Sequence, residues 1–427
     1  MKLLKEEKHE LNGLTVHTIQ TSKYKTNTLI LKMNAPLRED TVTLRALLPY
    51  VLQSATASYP STTKLRTYLD DLYGATLQVD LMKKGEWHDM TFRIDVANET
   101  YLKDTTPILK DALLLMGDIL LNPALENGAF LPDIVEQEKR SMRQRIQAVF
   151  DDKMRYSNLR LVEEMCKEEP YHLHVNGRVE DIEAITPASL YEYYKKVLEE
   201  DSIHLYVIGD IKQEEVLENV KQIFALPAKT TRQHRGENES KKIEKVNEVI
   251  EKQDIKQGKL NIGYRTNIVY GDPEYFALQV FNGIFGGFSH SKLFINVREK
   301  ASLAYYAASR VESHKGLLMV MSGIDAKNYD QAVKIINEQM EAMKQGDFTP
   351  EELDQTKAVI HNQILETIDT ARGLVEVLYH NELANTSISV EDYLEGIKAV
   401  TKEEVMAAAK QVEQDTIYFL RGMGGEE

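Results

Sequence analysis

Hydrophobic and polar positions along the chain spell one grammar twice. Asn27–Met33 (NTLILKM) and Lys259–Tyr264 (KLNIGY) read as strands. Each leads into a helical pattern, Val42–Leu52 and Glu274–Ile284, then a shorter helix, then a hairpin-like pair of strands. The pairs are ATLQVDLMKKGEWHDMTFRIDV, from Ala75, and LAYYAASRVESHKGLLMVMSGI, from Leu303. In the first, Thr76, Gln78 and Asp80 alternate with Leu77, Val79 and Leu81, the period of a strand with one buried face.

Two long helical patterns follow in each half: Leu102–Leu121 and Pro132–Val149, then Tyr329–Lys344 and Pro350–Ile368. Thr349-Pro350-Glu351-Glu352 supplies an N-cap, a first-turn proline and an acid at the third position; Thr401 and Glu404 make a second such box. Each half closes on a helix and a last strand, YEYYKKVLEEDSIHLYVIGD and VMAAAKQVEQDTIYFLRG. Between the halves, PAKTTRQHRGENESKKIEKVNEVIE has no sustained apolar period, and suits a connection rather than a core. The expected organisation is α+β: two tandem homologous domains, 1–226 and 252–427, joined by a charged linker, 227–251.

Composition narrows the function. At 427 residues the chain exceeds one compact core. Its formal net charge of −15 repels a phosphate backbone, so nucleic-acid binding is disfavoured. The single cysteine, Cys166, permits no internal disulfide and fits a reducing compartment. The first residues, MKLLKEEKHELNGLTV, lack the apolar stretch of a secretory signal. The most apolar segment, Leu109–Leu121, is interrupted by Lys110, Asp111 and Asp118 and reads as a buried amphipathic helix. A cytoplasmic protein without a membrane anchor is expected.

The chemistry concentrates in GGFSHSKLFINVREKASLAYY, Gly286 to Tyr306. A glycine pair, a short apolar helix, Arg298 and, seven residues later, Tyr305 follow in that order. This string resembles the C-terminal domain of the pitrilysin/insulinase family of zinc metallopeptidases. YHLHVNGRVEDIEAITPASLYEYYKKVLEEDSIHLYVIGD, from Tyr171, is similar to the end of that family's first domain. The resemblance spans nearly the whole chain. It implies in each domain an antiparallel sheet covered by helices. It also implies that Arg298 and Tyr305 contact a scissile carbonyl, with Gly283, Gly286, Gly287 and Ser289 handling substrate at a cavity mouth. Arg298 could instead simply pair with Glu299, and Tyr305 could be an ordinary strand aromatic.

The family's zinc motif, HxxEH, belongs in the helix after the first strand. Two histidines one turn apart bind the metal and the glutamate activates its water. Here Ala46, Pro49 and Tyr50 stand at those places, and Arg145 stands at that of the third ligand, a glutamate. None suits zinc, and a guanidinium repels it. The remaining histidines, His17 and His204 among them, read as isolated. His172 and His174 lie two apart in a turn and lack a third ligand.

The resemblance therefore implies an incomplete peptidase with no metal of its own. It would pair with a homologous HxxEH subunit that carries zinc, or with itself, around a peptide substrate. Two other roles compete. One is a non-catalytic peptide- or protein-binding factor, since HxxEH-lacking bacterial chains are associated with modification of an elongation factor. The other is a purely structural subunit.

Overall fold

The computed structural model describes residues 5–11, 13–102, 107–227 and 241–423. The first half runs β1 (Glu6–Leu11), β2 (Leu14–Gln20), β3 (Thr26–Pro36), α1 (Val42–Leu52), α2 (Thr62–Asp71), β4 (Thr76–Lys84), β5 (Trp87–Ala97) and α3 (Ile108–Leu121). It continues through a small hairpin, β6 (Leu125–Glu126) and β7 (Ala129–Phe130), to α4 (Pro132–Asp151), α5 (Lys153–Met165), α6 (Pro187–Glu200), β8 (Ser202–Gly209) and α7 (Gln213–Ile223). The second half runs β9 (Asn247–Gln253), β10 (Gly258–Arg265), α8 (Tyr275–Asn282), β11 (Ala304–Glu312), β12 (Leu317–Ile324), α9 (Tyr329–Gln345), α10 (Pro350–Thr367), α11 (Ala371–Ala384), α12 (Val390–Ala399), α13 (Lys402–Gln411) and β13 (Glu413–Gly422).

The repeated grammar becomes repeated topology. The six-stranded sheet is ordered β1-β2-β8-β3-β5-β4 and the five-stranded sheet β11-β12-β10-β13-β9. Read from β4 and from β11, the five shared places match strand for strand. The sheets are antiparallel apart from one parallel pair at the same place in each, β2 with β8 and β9 with β13. Both threonine boxes form with reciprocal hydrogen bonds, at Thr349/Glu352 and Thr401/Glu404.

Asn247–Glu251, read from sequence as the end of the linker, lies in strand β9 at the margin of the second sheet. Its burial alternates, but its apolar residues are few, so composition hid the strand; main-chain pairing with β13 holds it. Residues 228–240 of that linker lie outside the described residues.

One face of each sheet packs on helices of its own half. The other face is covered by the opposite half. Helix α5 lays Leu161, Val162 and Met165 against Met319, Tyr418 and Leu420. Helix α11 lays Leu374, Val375 and Leu378 against Ile19, Ile30 and Ile208. In β10, Gly263 makes room for α5, because a Cβ there would stand 2.5 Å from Met165 Sδ. The strands are therefore sandwiched, which is why the central one, β3, is buried along almost its whole length.

Buried charge registers both crossings. Lys32 on β3 lies 3.0 Å from Asp89 and 2.9 Å from Glu376 of α11, and Lys84 lies 3.1 Å from Glu376. Arg265 on β10 reaches Glu169, just beyond α5, and Asp415, each at 2.7 Å. Burial alone would raise the carboxyls of Glu376 and Glu169, but these cations hold both down to about 2. No described helix is long and apolar enough to cross a membrane.

Candidate functional site

Helix α1 carries the three lost motif positions, and a buried arginine fixes its placement. Arg45 donates to the carbonyls of His88 and Met33 and to Asp201 at 2.6 Å. Ala46 and Pro49 are buried in the packing beneath. Tyr50 points toward α4, where it meets Arg145: the guanidinium carbon lies 3.7 Å from the centre of the Tyr50 ring. Two of the three positions that the resemblance assigns to metal ligands are thus brought together, and a stacked cation–aromatic pair occupies them. Ala46 and Pro49 offer no side-chain donor, and the guanidinium is itself cationic, so these residues do not fit zinc.

Glu138, two turns before Arg145 on α4, was not singled out from sequence. It is 7% exposed and accepts a hydrogen bond from Ser54 Oγ at 3.2 Å. Burial raises its carboxyl, with Ser54 and Arg145 opposing. The seven-residue spacing to Arg145 was the available signal, because it puts both side chains on one helix face. Beside this pair, a cavity of about 200 Å³ is lined by residues including Ser54, Leu65, Leu77 and Glu138.

Arg298 lies in the helical segment just before the second half's edge strand, and Tyr305 at the start of that strand. The segment Phe294–Lys300 is a wide helical turn rather than an ordinary α-helix. Ser302, at φ 52°, reverses the chain, while Ala301 N and Leu303 N donate to the carbonyls of Asn296 and Val297. A non-glycine residue at positive φ costs of order 1–3 kcal/mol and persists only where its surroundings hold it. The reversal fixes the path between Arg298 and Tyr305. Both side chains face solvent; Tyr305 is 72% exposed. Arg298 stacks 4.5 Å from the Phe294 ring and makes no ion pair among the described residues, Glu299 included.

Tyr305 is the extra residue of a β-bulge. Ala304 pairs with Ile324 and Tyr306 with Gly323, leaving Tyr305 unmatched. A bulge re-aims one side chain and breaks the alternation. Here it turns Tyr305 outward, while Tyr306 packs over Gly323.

The glycine turn extends α8 as a second wide turn, Gly283–Gly287. Gly283 and Gly286 are buried: a Cβ would stand 2.5 Å from Thr356 Cγ2 and 2.5 Å from Ser309 Oγ respectively. Packing therefore explains glycine at both. Gly287 and Ser289 are exposed. His290 bonds Thr356 Oγ1 on α10 at 2.8 Å.

Two histidines read as isolated are partners. His17 and His204 lie 187 residues apart in sequence, yet their rings approach to 3.0 Å because β2 and β8 run side by side. His172 and His174 serve their own turn: His172 Nδ1 bonds the carbonyl of Glu169 and His174 Nδ1 accepts from Asn176 N.

A family model described as "Peptidase M16 inactive domain" matches residues 184–360. The chain is 55% identical over 425 residues to the probable inactive metalloprotease YmfF of Bacillus subtilis (strain 168), covering all of both chains. It is 26% identical over 294 residues to AlbE, an antilisterial bacteriocin subtilosin biosynthesis protein of Bacillus subtilis, covering 68% of this chain and 72% of the relative. Among solved structures it superposes on a conserved protein from Enterococcus faecalis V583 with a TM-score of 0.91 and 35% identity, covering 99% of this chain and 100% of that one. The chain belongs to the peptidase M16 family, the pitrilysin/insulinase family of the sequence resemblance, as an inactive-metalloprotease-like member.

Proposed function

We propose that this chain is the non-catalytic half of a peptide-processing pair. It holds an extended peptide and offers Arg298 and Tyr305 to it, and a homologous subunit with intact HxxEH supplies the metal chemistry. The observation that carries this reading is an asymmetry. Two of the metal positions are filled by the Arg145–Tyr50 stack, while the other half holds Tyr305 outward on a bulge and leaves Arg298 exposed to solvent. A phenol 72% exposed on a bulge adds little to the packing of the fold. A hydroxyl aimed where charge develops on a carbonyl oxygen can contribute about 3 kcal/mol to a barrier.

Strands β4 and β11 end their sheets, so each leaves main-chain groups available to an added strand. A peptide laid along β11 would run past Tyr305, with Gly287 and Ser289 offering little side-chain bulk nearby.

Native mass spectrometry of the tagged chain, drawn gently from its own cells, tests the pairing. A heterodimer with a zinc-bearing homologue of similar size supports it. Peptide hydrolysis by the purified chain alone would sink it.

A second reading is favoured by the likeness to AlbE, named as a bacteriocin biosynthesis protein. In it the chain binds a peptide or protein during its maturation without any cleaving partner. Arg298→Ala with Tyr305→Phe separates the two: turnover by the pair is lost under the first, and only peptide binding weakens under the second.

A further inference from the structure

On the far side of the N-terminal sheet from α1, beneath α11, a second polar cluster lies in the join between the halves. His17 on β2 and His204 on β8 face each other there, with Nε2 of the first 3.0 Å from Nδ1 of the second. Glu382, in the last turn of α11, brings its Oε2 to 3.9 Å from the same His204 nitrogen. One ligand atom from each of the three falls within 4.8 Å of the others.

The outer bonds of these rings carry the argument. His17 Nδ1 lies 2.7 Å from Glu6 Oε1, a carboxylate that can only accept while ionised, so Nδ1 carries a proton, and in the neutral ring the Nε2 lone pair then points inward. His204 Nε2 lies 3.0 Å from Ser202 Oγ; with that hydroxyl accepting, its Nδ1 lone pair points inward as well. In that tautomer two lone pairs and a carboxylate oxygen converge on one point, where a cation can bind; with the Ser202 hydroxyl donating instead, the same two nitrogens share a hydrogen bond. A histidine whose outer nitrogen is held by a carboxylate is the usual support of a metal ligand.

The spacing of the two nitrogens fits as well, while Glu382 Oε2, 3.9 Å from His204 Nδ1, would close in by turning its side chain. Bonds of about 2.05 Å at the tetrahedral angle separate two ligand nitrogens by roughly 3.3 Å, close to the separation present. The rings are held in place: His17 is fully buried and stacks 4.0 Å from Tyr206, and His204 meets Tyr379 edge-on at 5.9 Å. Among the described residues Lys8 is a further charged neighbour, which bonds the opposite oxygen of Glu382, Oε1, and lies 4.0 Å from Glu6. It balances the carboxylates and leaves Oε2 directed at the histidines.

We propose that His17, His204 and Glu382 form a divalent metal site of the zinc class, supported by Glu6 and Ser202, that clamps α11 of the second half to β2 and β8 of the first. It is separate from the filled positions on α1 and α4, which lie on the other face of the sheet. The fourth ligand is water, entering on the Glu382 side, where the cluster meets solvent.

The test uses the full chain, stripped with a chelator, incubated with zinc sulfate and desalted. About one zinc per chain is expected by plasma mass spectrometry, together with a thermal midpoint that rises with zinc. Cobalt(II) in its place should give the intense visible bands of a four-coordinate site. Glu382→Gln and His204→Gln should weaken zinc binding at least tenfold against a chromophoric chelator, and Glu6→Gln roughly 10–100-fold. Should His204→Gln fail to fold, Glu382→Gln and Glu6→Gln, at the wetted rim, remain decisive. A chain that retains no zinc would overturn the proposal and leave a simple histidine–histidine hydrogen bond. Zinc retained equally by the variants would overturn it too, by placing the metal elsewhere, such as at His314 and His380.

Discussion

Arg145 stacks its guanidinium 3.7 Å from the centre of the Tyr50 ring, joining α4 to α1 across the place where this family's metal would sit. A cation–π contact of this kind contributes about 0.5–2 kcal/mol. A double-mutant cycle of Tyr50→Leu and Arg145→Met should return a coupling in that range by urea unfolding, whereas Tyr50→Phe should be nearly neutral. Zinc or chelator should not alter that coupling, because no ligand remains at Ala46 or Pro49. A coupling that vanishes on adding chelator would refute this account of the pair.

Lys32 is predicted to matter more than any exposed charge. It is fully buried between Asp89 and Glu376, and it joins the two halves. Lys32→Met would leave Asp89 without its cation in the interior and Glu376 with Lys84 alone, and should destabilise by about 3 kcal/mol in chemical denaturation. Removing Lys5, whose partner Glu7 is also partly exposed, should change little.

Arg298→Ala and Tyr305→Phe should each leave stability within about 0.5 kcal/mol, since both side chains are exposed. Peptide binding or partnered turnover should nonetheless fall. A large drop in thermal midpoint for either variant would mean that the residue is structural.

Gly286→Ala should destabilise by about 1–3 kcal/mol, because the new methyl meets the Ser309 backbone nitrogen at 2.8 Å as well as its hydroxyl. Gly263→Ala should cost less. Its close contact is the sulfur of Met165, the far end of a side chain that can turn aside. Equal thermal midpoints for the two variants would contradict this ranking.

Acid should weaken the fold in two stages. Burial, followed by Lys83, lowers His174 to about 4, and burial, Arg45 and Lys83 push His88 well below its ordinary value of 6.5. The unfolded chain takes up these protons first. This contribution is therefore complete above about pH 6.5 and is lost as pH falls toward the folded values. Glu169, held down to about 2, adds stability above its ordinary value of 4.5 that is lost below it. The urea midpoint should fall from about pH 6.5 toward pH 4, and more steeply below about pH 4.5, where the loss at Glu169 joins. His174→Gln should flatten the first stage alone; an unchanged first stage would remove His174 from the explanation.

Local pattern by itself determined a good deal. It placed α1 at Val42–Leu52, the two hairpins, both threonine boxes and the repeat of the two halves. It also marked the four positions that cannot hold zinc. Each of these rests on neighbours within a few turns of chain, and periodicity records those directly.

Tertiary structure decided what crosses between distant segments. Helices α5 and α11 were not read from sequence, because the faces they cover belong to the other half and their apolar positions answer to no local partner. Strand β9 is held by main-chain pairing, which side-chain pattern does not encode. The Tyr50–Arg145 stack, the outward turn of Tyr305 and the meeting of His17 with His204 all follow from pairing and packing over long separations. Sequence supplied the chemistry of these residues. Only the crossing of the two halves and the strand order gave each its partner.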